Sequence, residues 1–171
     1  MKKALYFFIT IVLVMILDQW TKLLVLSHFE YGESVLMIKE FFSLTYVRNT
    51  GAAFGFLASA NAAFRVPFFL AVPIVAMVIL GFLYRDLPKS ARWRALALGL
   101  VTGGAIGNLI DRVRLGFVVD FLDFHFKNVY YFPAFNVADS AICVGVAILL
   151  LSTMERTTKK ENRDASNASR T

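Results

Sequence analysis

The sequence predicts a mainly α membrane protein: four transmembrane helices with a small antiparallel β-cradle and a short helical element on one outer side, forming a single domain over residues 1–171. Three observations carry this expectation. The chain is 58% hydrophobic, whereas about half the residues of an ordinary soluble domain are apolar. Four apolar runs approach the roughly 20 residues needed to cross a bilayer. The basic residues gather at alternate ends of those runs, as they do on the inner side of a membrane.

The first span is placed at about residues 4–24. Lys2 and Lys3 ahead of an apolar run would also open a secretory signal peptide, but Asp18-Gln19-Trp20-Thr21-Lys22 follows with no small-residue cleavage pattern, so the run reads as an uncleaved anchor. Residues of about 30–64 are too polar to span. Within "SVLMIKEFFSLTYVR", Phe42, Leu44 and Tyr46 alternate with Ser43, Thr45 and Val47, the period of a strand, and this is the expected cradle. In the following "RNTGAAFGFL", Asn49, Thr50 and Gly51 supply turn chemistry, while Ala52, Ala53 and Gly55 allow close backbone approach.

The second span, about 66–84, carries Pro67, which suits a first helical turn, and Pro73, which removes a backbone hydrogen bond and predicts a kink. "RDLPKSARWR" is a basic connector with Trp93 at headgroup depth. The third span, about 95–112, is short of apolar residues, as is the first, so each is expected to carry a polar end to membrane depth. Residues 113–135 mix acids with aromatics. A short interfacial helix or re-entrant piece is expected there, with Tyr130, Tyr131 and Phe132 in the aromatic belt and Pro133 breaking the chain. The fourth span, about 136–154, contains the lone Cys143, read as a small packing residue. The tail, 155–171, ends in "TTKKENRDASNASRT", a composition typical of disorder.

If four spans alternate, Lys2 and Lys3, the connector's Arg85, Lys89, Arg92 and Arg94, and the tail's Arg156, Lys159, Lys160, Arg163 and Arg170 share one side. Both termini are therefore expected in the cytoplasm. The formal net charge of +6 needs no nucleic acid to explain it, because cations beside span ends are matched by anionic headgroups. Membrane lipids are the expected partners.

Asp18, Asp111, Asp120 and Asp139 all fall at the opposite, outer boundary. A charge at the bilayer centre costs at least ~2.5 kcal/mol, so carboxylates at membrane depth face a bundle interior and mark a candidate site. Helical spacing puts Asn136 and Asp139 on one face, and Asn108, Asp111 and Arg112 on another. One reading is structural: Asn136 or Asp139 as a first-turn cap, Asp111 and Arg112 as an ion pair, Asp18 and Asn108 as polar glue between helices. The other is hydrolytic. The chain offers no Ser-His pair and no outer cysteine, whereas two carboxyls in hydrogen-bond reach split their titrations, so that one acts as base while the other acts as acid. A metal site would draw on the same acids with Asp123 and His125, yet neither histidine, His28 or His125, stands at a recognisable ligand spacing. No metal and no cofactor is expected. A proton relay or transporter would need polar groups through the full thickness, but the middle of every span is apolar. A scaffold would leave the acid-amide pairs without a use.

Five ordered fragments, "DQWTK" at 18–22, "VRNTGAAFGFL" from Val47, "GGAIGNLIDR" from Gly103, "VVDF" at 118–121 and "FNVADSAI" at 135–142, resemble the lipoprotein signal peptidase (signal peptidase II) family of bacterial membrane aspartyl proteases. The resemblance implies four helices with a β-cradle and a small helical element on the periplasmic side, and residence in the bacterial inner membrane with the active site near the periplasmic face. It implies an endopeptidase that removes the signal peptide from diacylglyceryl-modified prolipoproteins, cutting before the lipidated cysteine. It further implies Asp120 and Asp139 as the catalytic pair. Asn49, Gly51, Asn108, Asp111, Arg112 and Asn136 match positions that shape the pocket, bind substrate or support the acids; Asp18 and Lys22 match a structural or substrate-positioning motif. The protein is expected to act as a monomer.

Overall fold

In the computed structural model, which describes residues 2–51, 61–127 and 129–168, four helices each contain a stretch long and apolar enough to cross a membrane: α1 (Lys2–His28), α2 (Ala62–Arg85), α3 (Arg92–Leu115) and α4 (Val137–Ala168). At 1.5 Å per residue, the 27 residues of α1 extend about 40 Å, beyond a hydrocarbon core of about 30 Å. The polar ends of α1 and α3 therefore continue the helices rather than terminate them, and Asp18, Lys22, Asn108 and Asp111 are carried on helical backbone.

Two helix boundaries depart from the sequence reading. α2 begins four residues before the expected 66, because Asn61 caps it by accepting from the Ala63 N–H at 2.9 Å. Pro67 thus lies inside the helix, as Pro73 does, not in its first turn. α4 runs on as helix to Ala168 through the segment whose composition predicted disorder; adding residues to an existing helix avoids the unfavourable nucleation step. Gly116, with φ of 79°, ends α3 in the left-handed conformation, its N–H bonded to the Arg112 carbonyl.

α3 is the central helix, packed on α1 and α4 and, less extensively, on α2. Small residues permit the approach: a side chain at Gly104 would run into the Ala138 carbonyl of α4, and one at Gly107 into the Asp18 carboxylate of α1. The outward faces of α1 and α2 remain apolar and exposed, as in Phe8, Leu13, Ile16, Ile74 and Val78. That is the surface a helix presents to lipid.

The sheet is four-stranded and antiparallel in the order β1-β2-β3-β4, with β1 (Ser34–Ile38), β2 (Phe42–Asn49), β3 (Val118–Phe126) and β4 (Tyr130–Tyr131). The cradle thus draws on both segments outside the helices. Residues 113–135, expected to hold a short interfacial helix or a re-entrant piece, instead supply β3 and β4, and no further helix occurs among the described residues. Val25, Tyr46, Val119 and Phe121 form a buried cluster that fastens the sheet to α1. A bulge between Leu44 and Val47 shifts the β2–β3 register, so that Val47 pairs with Asp120 and Asn49 with Val118. A register shift of one residue exchanges the faces of a strand; here it brings Asn49 onto the face of Asp120. The expected close approach at Ala52, Ala53 and Gly55 lies outside the described residues.

Candidate active site

Asp18, Lys22, Asn49, Gly51, Asn108, Asp111, Arg112, Asp120, Asn136 and Asp139 are linked into one network of hydrogen bonds and ion pairs. Asp120 is the third residue of β3 and is 1% exposed. Its Oδ1 accepts from Asn136 Nδ2 at 2.7 Å and its Oδ2 from Asn49 Nδ2 at 2.9 Å. Asn49 is placed by the β2 bulge, and its own Oδ1 accepts the Gly51 N–H at 3.0 Å, closing the turn after β2.

Asp139 sits in the first turn of α4. Asn136 Oδ1 accepts from the Asp139 N–H at 2.9 Å and Asp139 Oδ2 accepts from the Asn136 N–H at 3.2 Å, the reciprocal pattern of a capping box. The cap reading therefore holds. The other carboxylate oxygen of Asp139 accepts from Asn108 Nδ2 at 2.8 Å. Asn136 bridges the two acids: one residue gives its side-chain amide to Asp120 and its backbone amide to Asp139.

Behind the carboxyls lies a buried ionic cluster. Lys22 Nζ is 2.9 Å from Asp18 Oδ2 and 3.0 Å from Asp111 Oδ2, with all three side chains almost fully withdrawn from solvent. Burying charges is costly unless further hydrogen bonds satisfy the groups; here each of the four carboxylate oxygens accepts at least one hydrogen bond and Lys22 Nζ meets three acceptors. Asp18 Oδ1 accepts the Ala138 N–H at 3.0 Å, one of the amide groups that a helix N-terminus leaves unpaired. Asp111 Oδ2 accepts the Val119 N–H at 3.0 Å and so ties α3 to β3. Asp111 pairs with Lys22 and not with Arg112, as the structural reading had it. Arg112 instead donates to the Gly51 carbonyl at 3.2 Å and lies over the Phe69 ring, 5.2 Å from its centroid.

Gln19 was missed by sequence reasoning. Its Nε2 reaches Asp111 Oδ1 at 3.0 Å, the Gly107 carbonyl at 3.1 Å and Asp18 Oδ2 at 3.2 Å, joining the two acids that flank Lys22. The only signal was its place beside Asp18 in "DQWTK". The metal alternative gains nothing from the geometry. Asp123 accepts from Thr45 at 2.9 Å and His125 stacks on Tyr131, and among the described residues no group of three or more His, Cys, Asp or Glu could hold a metal ion.

Burial, followed by the negative charge of Asp139, pushes Asp120 up to about 7 from an ordinary value of 3.8, against the amides of Asn49 and Asn136, which favour its anion. Near neutrality a proton is thus divided between Asp120 and its surroundings, which is the condition for acid-base work by an acid pair.

Comparison with known proteins agrees with the fold and with the motifs. Residues 10–155 match the family described as Signal peptidase (SPase) II. The chain is 49% identical over 150 residues to the lipoprotein signal peptidase of Geobacter metallireducens, covering 88% of this chain and 90% of that one. It is 54% identical over 140 residues to the lipoprotein signal peptidase of Syntrophotalea carbinolica, covering 82% and 85%. A bacterial membrane enzyme solved by the in meso method at 2.3 Å superposes with a TM-score of 0.80 at 33% identity, over 90% of each chain. The chain belongs to the signal peptidase II family and is an aspartic-type peptidase of multi-pass membrane architecture.

Proposed function

We propose that this protein removes the signal peptide from diacylglyceryl-modified prolipoproteins, cutting on the N-terminal side of the lipidated cysteine, with Asp120 and Asp139 as the catalytic pair. The observation that carries the reading is the bridge through Asn136, which holds a carboxyl from β3 and a carboxyl from α4 in one hydrogen-bonded unit. The names of the relatives support the substrate class.

In the proposed reaction a water held between the two carboxyls attacks the scissile carbonyl. Asp139 takes a proton from that water, and Asp120, which holds a proton near neutral pH, gives it to the carbonyl oxygen as the tetrahedral intermediate forms. Collapse returns a proton to the leaving nitrogen, and no acyl-enzyme or metal takes part. Arg112, fixed against Gly51 and Phe69, has donors suited to a substrate backbone carbonyl, and Asn49 orients Asp120. The basic connector and tail support an orientation with both termini in the cytoplasm of a bacterial inner membrane and the sheet and site at the periplasmic face. The protein works as a monomer among membrane lipids.

The test is direct. Purified protein in nanodiscs is incubated with a prolipoprotein carrying the diacylglyceryl group, and signal-peptide release is followed by mass. Release from the lipidated precursor, none from the unlipidated one, silence of Asp120→Asn and Asp139→Asn, and indifference to chelator are expected. Cleavage by either single variant would refute the pair.

A further inference from the structure

The cation behind the carboxyls has a use beyond charge balance. Lys22 Nζ carries three hydrogens and meets three acceptors: Asp18 Oδ2 at 2.9 Å, Asp111 Oδ2 at 3.0 Å and Asn108 Oδ1 at 2.9 Å. An ammonium group only donates, so every group facing it presents an oxygen. The two ends of an asparagine amide are nearly alike in shape, and packing alone would accept either. Against Lys22 only the oxygen of Asn108 fits, and the same oxygen accepts from Asn136 Nδ2 at 3.2 Å. Asn108 Nδ2 is thereby turned to Asp139 Oδ1, at 2.8 Å.

We propose that Lys22 is a positioning residue for the reaction: it fixes the amide orientation of Asn108 and so keeps a donor, not a carbonyl, on Asp139. This rests on the Asp120–Asp139 reading above. A reversed Asn108 would face Lys22 with N–H groups and Asp139 with an oxygen, and both new contacts repel. Lys22 is 1% and Asn108 7% exposed, so bulk solvent does not arbitrate between the two orientations. The same constraint reaches Asp120. Asn136 Nδ2 stands between Asn108 Oδ1 at 3.2 Å and Asp120 Oδ1 at 2.7 Å, which requires an oxygen at that end of Asn108. One lysine, touching neither member of the pair, thus orders the amides on both.

Lys22→Met alone would leave Asp18 and Asp111 buried without a counter-charge and is expected to fold poorly. The decisive variant is Lys22→Met combined with Asp18→Asn, which removes one charge of each sign and leaves an oxygen for the Ala138 N–H. Expected is a melting temperature above that of Lys22→Met, because one buried carboxylate instead of two is left without a counter-charge, and an unchanged KM with kcat reduced about 100-fold or more. A purely structural lysine predicts that kcat recovers together with stability, and parental kcat in the folded double variant overturns the proposal. Should the double variant melt early, Asn108→Asp decides the matter, because it leaves Lys22 all its acceptors but sets an oxygen against Asp139. Parental kcat in Asn108→Asp refutes the proposal, and a loss that the double variant matches at a temperature where it is folded supports it. Failure of the underlying pair would look different, as cleavage surviving in Asp120→Asn or Asp139→Asn whatever is done at Lys22.

Discussion

Asn136 gives its side-chain amide to Asp120 at 2.7 Å across the junction of α4 and β3, and the same residue caps α4 through its side-chain oxygen. Its two functions separate by substitution. Asn136→Ala removes both, and loss of the cap alone costs about 1 kcal/mol, to which a cavity at a fully buried position adds. Asn136→Asp keeps an oxygen for the Asp139 N–H but sets an anion against Asp120. Thermal melts should show Asn136→Ala markedly destabilised and Asn136→Asp less so, while cleavage is lost in both. Activity that followed stability across the two variants would assign Asn136 to the cap only.

Asp120 makes the pair sensitive to pH in a defined direction. Its folded-state value of about 7 lies above the ordinary 3.8, so the folded protein holds this proton more tightly than the unfolded chain does. Below about pH 4 both states are protonated and the group is neutral for stability. Between about 4 and 7 stability falls as pH rises, and above that the loss is complete, roughly 4 kcal/mol in all. Asp120→Asn, which mimics the protonated form, escapes this loss. Its melting temperature should exceed the parent's by an amount that grows from pH 5 to pH 8. The kcat of the parent should fall on the alkaline side of about pH 7, as Asp120 loses its proton. A melting difference independent of pH would show that Asp120 titrates in its ordinary range.

The four spans were legible because a bilayer demands about 20 apolar residues in a row, and β2 because Phe42, Leu44 and Tyr46 alternate with shorter or more polar neighbours. β3 was not. Val118, Val119, Asp120 and Phe121 are all buried, and a strand covered on both faces loses the two-residue period by which strands are recognised. The bulge that turns Asn49 toward Asp120 leaves no mark in the sequence either. Acids at one membrane boundary announced Asp18, Asp111, Asp120 and Asp139, since each is expensive there without a partner. Gln19 is uncharged and sits half-buried beside Asp18, and nothing in its spacing shows that it joins two acids. The same limit applied to Arg112, whose neighbour in sequence, Asp111, is taken by Lys22 from another helix.

Close packing of α3 should be intolerant at two glycines and indifferent at a third. A methyl group at Gly104 or Gly107 would overlap the Ala138 carbonyl or the Asp18 carboxylate, backbone and ion-paired groups that have no room to yield, whereas one at Gly81 meets nothing within 4 Å. Gly104→Ala and Gly107→Ala are expected to lower stability by about 1–3 kcal/mol, the usual cost of overpacking. Gly81→Ala is expected to be neutral or to stabilise by up to about 1 kcal/mol through helix propensity. Melting in detergent measures all three. A tolerant Gly107 would mean that α1 moves away from α3, and then Asp18 and Lys22 would no longer lie where the site needs them.

The orientation of the chain is open to a labelling test that does not depend on activity. Ser34 on β1 and Lys89 in the connector between α2 and α3 are both exposed, and they stand at opposite ends of the spans. Cys143 is exposed on α4, so the experiment uses a Cys143→Ser background. The excess of lysine and arginine near Lys89 favours retention of that loop in the cytoplasm, while the sheet carries the carboxyls to the other side. In intact spheroplasts a membrane-impermeant maleimide should modify Ser34→Cys and spare Lys89→Cys, and permeabilised cells should show both modified. The reverse pattern would place Asp120 and Asp139 on the cytoplasmic side. That result would overturn the proposed orientation, in which the sheet and the acid pair lie at the periplasmic face.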